Sequence, residues 1–133
     1  MNDVINFLKE NNLIYLATSG LDGNAKVRPI LFYFEEDEKP YFCTANTKPM
    51  FKELDANPNC EIVVATPEFA WLRIAGEAEF TDNLELKQKV IDSNELVKSL
   101  YETADNPTFE VFTVSGKATI ADFSGNPPKN YKL

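Results

Sequence analysis

Apolar and polar residues alternate along the chain in two rhythms, and each rhythm predicts a different kind of element. Near the start, Val4, Ile5 and Leu8 recur at helical spacing, which predicts an amphipathic first helix. Farther on, short runs of β-branched and aromatic residues are separated by turn residues, as in strands joined by hairpins. Six strands are predicted in this way, over residues 13–19, 25–35, 40–44, 61–66, 70–80 and 109–123. The last is predicted to be one strand or a strand pair, with a bulge or bend at Gly116.

Two further helical segments interrupt the strands. Thr47 is the predicted N-cap of the first, and Pro49 lies in its first turn, where a missing N–H costs nothing. The second begins at residues 82–85, which have capping-box spacing, and continues as one helix or two to Tyr101. The whole pattern predicts a mainly β fold, a small six-stranded antiparallel barrel with peripheral helices.

The predicted elements form one unit. A chain of 133 residues has the size of a single domain, and no repeat or internal linker divides it. We therefore assign residues 1–123 to one barrel domain. Residues 124–133, SGNPPKNYKL, are polar and are expected to form a tail that is only partly ordered.

Charge and composition narrow the possible partners and the compartment. The net charge of −8 argues against nucleic acid and anionic membranes, because both bind basic patches. No apolar stretch has the length of a membrane span, and the first residues do not resemble an export signal. The two cysteines, Cys43 and Cys60, are therefore expected to be reduced thiols of a cytoplasmic protein.

Histidine is absent from the sequence. This removes the commonest general base, the commonest metal ligand and every nucleophile that a histidine would activate. No metal site is predicted, and the two cysteines are too few for a zinc site. Any chemistry must therefore depend on carboxylates or on a cofactor.

Lys48 stands at the predicted start of a helix, where the partial positive charge of the helix favours anions rather than cations. Thr44 at the end of a strand and Thr47 at the cap add hydroxyl groups beside the free N–H groups of the helix. Together these donors predict an anion site that is best filled by phosphate. The alternative is that Lys48 is simply an exposed surface residue.

Arg28 and Trp71 are two further candidates. Arg28 precedes Pro29 within an apolar strand, so it is either a solvated edge residue or a charged contact to a ligand, and position alone favours the edge. Trp71 shares a strand face with Arg73, opposite the face of Leu72, which is expected to fill the barrel. A tryptophan beside an arginine is typical of protein interfaces and favours a homodimer, although a single exposed aromatic needs no explanation.

The order of these segments resembles that of the pyridoxamine 5'-phosphate oxidase-like, FMN-binding split-barrel family. The resemblance extends from residue 1 to about residue 123 and depends on the sequence and spacing of several short motifs. These motifs are VRPI at 27–30, TANTK at 44–48 and WLRIAGEAEF at 71–80.

The resemblance implies a split barrel that forms a homodimer with two FMN sites at the interface. It implies seven cofactor-binding residues: Arg28, Pro29 and Ile30 along the flavin ring and ribityl chain, Thr44, Thr47 and Lys48 at the phosphate, and Trp71, from the other subunit, over the ring. It assigns no catalytic residue.

Two departures from the family pattern concern the substrate. In the true oxidases a lysine stands five residues after the arginine and contacts the substrate phosphate, whereas this chain has Tyr33 there. Their arginine-containing C-terminal segment also has no counterpart in SGNPPKNYKL. Vitamin B6 oxidase activity itself is therefore not expected.

The functional hypothesis is an FMN-binding flavoprotein, an oxidoreductase that acts on an unidentified small molecule or electron carrier. The flavin would supply the redox chemistry, which suits a chain without histidine. One alternative is a non-catalytic carrier of flavin or of a related ligand, such as a deazaflavin or a tetrapyrrole. The other is a β-barrel interaction module without a cofactor.

Overall fold

The computed structural model describes residues 2–133, and within them eight strands and four helices. The helices are α1 (Asn2–Glu10), α2 (Pro49–Ala56), α3 (Leu84–Asp92) and α4 (Glu95–Tyr101). The strands are β1 (Leu13–Ser19), β2 (Ala25–Leu31), β3 (Phe34–Glu36), β4 (Lys39–Ala45), β5 (Asn59–Ala65), β6 (Trp71–Thr81), β7 (Phe109–Ala121) and β8 (Lys129–Lys132).

All eight strands belong to one antiparallel sheet. Its strand order is β2-β1-β5-β6-β7-β4-β3, and β8 pairs with β7 beside this path. The predicted class, a mainly β split barrel with peripheral helices, is confirmed, but the sheet has eight strands rather than six. One added strand arises because the segment predicted as a single strand over 25–35 breaks between β2 and β3. There the backbone N–H of Phe32 donates to the Asn12 carbonyl at 2.9 Å, and the Phe32 side chain is buried.

The other added strand comes from the polar tail. Residues 129–132 pair with β7, and the backbone N–H of Leu133 donates to the Gly116 carbonyl at 2.8 Å. The Tyr131 hydroxyl lies 2.7 Å from a carboxylate oxygen of Asp3 on α1. The tail was expected to be only partly ordered, but it pairs with the sheet and contacts the first helix.

The strand β7 passes Gly116 without the predicted bulge, in a continuous pairing with β6. The pairing of β6 with β7 runs without interruption from Trp71 opposite Ala121 to Thr81 opposite Val111. A Cβ atom added at Gly76, which faces Gly116, would lie only 1.9 Å from the Ser115 carbonyl oxygen. Glycine is needed here because the two backbones approach closely, and there is no bulge in the register.

The helices cover the sheet in two places. Residues of α1 and α2, such as Leu8 and Leu54, pack into the main core with Leu16, Ile62 and Ile74 of the strands. The predicted helix over 82–101 is two helices, α3 and α4, which together with β4 and β7 enclose a second apolar cluster.

The capping residues of these two helices are asparagines. The Asn83 side chain accepts a hydrogen bond from the Leu86 N–H, and the Asn94 side chain accepts from the Leu96 and Val97 N–H groups. None of the helices in residues 2–133 has both the length and the apolar character needed to cross a membrane.

Candidate functional site

A cleft of about 340 Å³ lies between β2 and the segment where β4 leads into α2. Its first wall is residues 28–31 of β2, the strand at one end of the sheet order. Its second wall includes Thr44 near the end of β4 and Lys48 at the start of α2. Five of the seven predicted binding residues line this cleft together: Arg28, Pro29, Ile30, Thr44 and Lys48.

Local sequence explains the geometry of the second wall. Lys48 precedes Pro49, and a residue before proline is disfavoured in the helical region. Lys48 accordingly adopts an extended conformation (φ −85°, ψ 151°) and is the N-cap of α2, with Pro49 following it. The prediction that Thr47 is the N-cap is therefore wrong by one residue. Thr47 is exposed and does not line the cleft.

The first turn of α2 has donors to offer. No side chain caps it, and the Lys48 N–H is already bonded to the Ala45 carbonyl at 3.0 Å. Pro49 has no N–H, so helix geometry leaves the N–H groups of Met50 and Phe51 without partners within the helix. The start of α2 thus combines two free amide donors with the positive end of the helix dipole.

Thr44 adds a buried donor to the same wall. The residue is only 2% exposed, and its Oγ1 atom has no hydrogen-bond partner among residues 2–133. A buried hydroxyl without a partner is costly, by about 1–3 kcal/mol, so such an atom beside a cleft suggests an absent ligand. We call Thr44, Lys48 and the first turn of α2 the anion corner.

Lys48 carries the charge of the anion corner. Its side chain is exposed and forms no ion pair within residues 2–133. A lysine ammonium, a threonine hydroxyl and a helix N-terminus are the donor types that bind phosphate in proteins.

Arg28, on the opposite wall, is already paired. Its Nη2 atom lies 2.5 Å from a carboxylate oxygen of Glu53 on α2, and its Nη1 atom lies 2.8 Å from the Thr18 hydroxyl. The Thr18 hydroxyl also donates to the same carboxylate oxygen at 2.7 Å. The hydrogen bond from Thr18 is the main cause that holds the pKa of Glu53 below its usual range. The Arg28 guanidinium lowers this pKa further, whereas burial of the carboxylate opposes the shift. The network joins β1, β2 and α2.

Glu53 was missed by sequence reasoning, although a signal was available. It is 6% exposed, between Met50 and Leu54 on the buried face of α2. Residues 50, 53 and 54 are spaced so that all three lie on one side of a helix. A carboxylate on that apolar side must find a cation, and Arg28 is the cation it finds.

Cys43 and Tyr33 also line the cleft and are inert as acids or bases at neutral pH. Burial raises the pKa of the Cys43 thiol to about 12, although nearby Lys48 opposes the shift. Burial likewise raises the pKa of Tyr33. Cys43 is thus a protonated thiol. No cluster of three metal-ligating side chains occurs among the described residues.

Trp71 is not at the cleft within one chain. It packs at 5.3 Å, between ring centroids, against Phe123, which in turn lies 6.3 Å from Phe69. Phe69 and Phe123 are 67% and 80% exposed, so these three rings form an aromatic cluster that is open to solvent. Phe69 also has a left-handed backbone conformation (φ 66°), which is uncommon for a bulky residue.

A second, larger groove of about 650 Å³ lies on the outer face of β1, β2, β5 and β6. Tyr15, Val27 and Val63 expose apolar surface there. The cations that line it are restricted to Arg73, which lies 3.8 Å from a carboxylate oxygen of Glu61. Despite its size, this groove lacks an unpaired cation beside an unpaired hydroxyl, so we place the candidate ligand site in the smaller cleft.

Comparison with known proteins agrees with this architecture. The family model described as pyridoxamine 5'-phosphate oxidase matches residues 3–122. A solved structure of a NimC/NimA family protein from Clostridium acetobutylicum is 33% identical, with a TM-score of 0.89, over 100% of this chain and 92% of that one. No curated protein matches the chain.

Two more distant solved structures share the fold. One is a pyridoxamine 5'-phosphate oxidase-related, FMN binding protein from Nostoc punctiforme, 14% identical with a TM-score of 0.72, over 97% of this chain and 87% of that one. The other is a heme binding protein from Mycobacterium smegmatis, 18% identical with a TM-score of 0.74, over 93% of this chain and 54% of that one. With nine-tenths of its length matched by the family model, the chain belongs to the pyridoxamine 5'-phosphate oxidase family.

Proposed function

We propose that the protein is a cytosolic, homodimeric flavoprotein that binds FMN in the cleft and acts as an oxidoreductase. The observation that carries the proposal is the anion corner, where, within residues 2–133, the buried Thr44 hydroxyl has no partner and Lys48 has no counter-ion. A phosphate monoester satisfies both groups at once. Its remaining oxygens can accept from the amide donors at the start of α2.

The chain's own residues would position the cofactor. The Lys48 ammonium and the Thr44 hydroxyl would donate to the phosphate, the bond from the ammonium contributing roughly 1.5–3 kcal/mol and the bond from the hydroxyl about 1 kcal/mol. Pro29 and Ile30, on the strand that ends the sheet order, would line the flavin ring and ribityl chain. When bound, FMN supplies hydride or electron transfer. The cleft itself offers no general base, because its thiol and its phenol stay protonated at neutral pH.

A second copy of the chain would complete the site. The aromatic cluster and the apolar groove expose large rings and β-branched side chains, which is the surface chemistry of an interface. Trp71 would then reach the cleft of the partner rather than its own. Light scattering on purified protein should give about twice the 15.0 kDa mass of one chain. A single-chain mass would contradict the dimer without touching the anion corner.

Colour and fluorescence test the cofactor directly. The purified protein should show flavin absorption, or should quench the fluorescence of added FMN in a saturable titration. If the protein shows no flavin absorption and does not quench FMN fluorescence, the function that remains is an interaction module without a cofactor.

A non-catalytic carrier is the second candidate, because the cleft provides no acid or base of its own. One of the fold relatives described above is a heme binding protein. This chain has no histidine, and the Cys43 thiol and the Tyr33 phenol in the cleft both stay protonated, so flavin suits the cleft better than heme iron does. Anaerobic reduction of the bound flavin by NADH or NADPH separates the two functions. Flavin that binds tightly but is reduced by neither donor would favour the carrier.

A further inference from the structure

The cleft contains two cations and only one of them is free. Arg28 and Lys48 are the charged residues that line it. The guanidinium of Arg28 is neutralised by Glu53, whereas Lys48 has no ionic partner among the described residues. The net charge available to a ligand is therefore a single positive charge, together with the dipole of α2.

One bound phosphate is enough to neutralise that single positive charge. A phosphate monoester carries about −1.5 to −2 at neutral pH, which already exceeds the charge of one lysine. If FMN occupies the anion corner, as proposed above, the chain that forms the cleft has no further unpaired cation there for a second anionic group. The rest of the lining is apolar or neutral, as at Ile30, Tyr33 and Met50. An unpaired phosphate there would be desolvated without compensation.

Glu53 produces this limit without lining the cleft. Its carboxylate accepts hydrogen bonds from Arg28 and from Thr18, and the guanidinium also donates to Thr18. The guanidinium is therefore fixed by one group on β1 and one on α2. We propose that Glu53 is a specificity-determining residue. By neutralising Arg28 it restricts the cleft to one anionic ligand, the cofactor, and selects a second ligand that carries no phosphate.

Removing the charge of Glu53 should reverse the restriction. Glutamine has the same shape, and its amide oxygen can still accept from Thr18 and Arg28. In Glu53→Gln the guanidinium keeps its place, but its positive charge is no longer balanced by a carboxylate. The cleft would then have a second unpaired cation and should gain affinity for a second phosphate.

Two probes that differ only in a phosphate measure the effect: pyridoxine and pyridoxine 5'-phosphate, each titrated into the FMN-loaded protein by calorimetry. The wild type should bind the two within about threefold of each other. Glu53→Gln should favour the phosphorylated probe by about tenfold or more, the value of one charge-assisted hydrogen bond. The double variant Arg28→Gln/Glu53→Gln should return to the wild-type ratio, because the freed cation is gone.

Three outcomes would overturn the proposal. A wild-type preference for the phosphorylated probe above tenfold would do so without any variant. So would a folded Glu53→Gln protein with an unchanged ratio, or a gain that persists in the double variant. If FMN does not bind, the proposed function fails by itself. The same ratios in FMN-free protein then decide the role of Glu53, since Glu53→Gln should still raise the phosphate preference about tenfold above wild type.

Discussion

The two walls of the cleft differ in how each uses its cation. On the β2 wall, the Arg28 guanidinium is bonded to Glu53 and Thr18 and has become part of the scaffold. On the α2 wall, Lys48 is exposed and has no counter-ion in the described part of the chain, and the neighbouring Thr44 hydroxyl has no partner there either. Sequence position made the two cations look alike. The comparison teaches that a cation marks a ligand site only where the fold leaves it unpaired.

The largest expected difference between the walls concerns stability. Arg28→Ala leaves the buried Glu53 carboxylate without its cation, which should lower the free energy of unfolding by about 3 kcal/mol. Lys48→Ala removes no internal contact of this kind and should change it by less than about 0.5 kcal/mol. Urea denaturation of both variants measures the contrast. Equal losses would mean that the two cations have the same role.

The next effect concerns binding. Lys48→Ala should weaken FMN by about tenfold or more, because one charge-assisted hydrogen bond to the phosphate is lost. Lys52→Ala is the matched control, since Lys52 is an exposed lysine one turn farther along α2 that does not line the cleft. Fluorescence titration should find Lys52→Ala close to wild type. Equal weakening in both would indicate a general charge effect instead of a site.

Thr44→Val should give a smaller loss, about fivefold in FMN affinity, corresponding to about 1 kcal/mol. Stability should be unchanged or slightly raised, since the variant removes a buried hydroxyl that has no partner. Thr113→Val is the control, because the buried Thr113 hydroxyl also lacks a partner among the residues that the structure describes, and Thr113 does not line the cleft. A matching affinity loss in Thr113→Val would remove Thr44 from the site.

The smallest effect is a pH dependence of the β2 wall. The pKa of Glu53 is lower in the folded protein than its ordinary value of 4.5. Its contribution to stability is therefore complete above that value and is lost as the pH falls through the folded-state pKa. Glu53→Gln should flatten this part of the acid unfolding curve, measured by circular dichroism between pH 5 and roughly pH 2. An unchanged curve would show that the ionised Glu53 carboxylate, with its bonds from Thr18 and Arg28, contributes nothing to acid stability.

Much of the fold follows from periodicity. The buried positions Leu72 and Ile74 alternate with exposed Arg73 on β6 as the sequence predicts. The break between β2 and β3 and the strand β8 were not predictable in this way. Both depend on tertiary partners, the Asn12 carbonyl for the first and the edge of β7 for the second.

The site was predictable to a smaller extent. Local motifs predicted Thr44 and Lys48, which both line the cleft, because a strand end followed by a helix start is visible in the sequence. The N-cap of α2 is Lys48 rather than the predicted Thr47, because proline restricts the conformation of the residue before it. The pairing of Arg28 with Glu53 spans 25 residues. No local rule joins two such positions, although the helical spacing of Glu53 already marked it as a carboxylate facing the core.

The account's central claim is that the anion corner binds a phosphate, and comparing FMN with riboflavin tests this most directly. The two flavins differ only in the phosphate group. Calorimetric titration of the wild-type protein should show FMN binding at least about tenfold more tightly than riboflavin. Equal affinities for the two flavins would contradict the claim, because Thr44, Lys48 and the start of α2 would then contribute nothing to recognition.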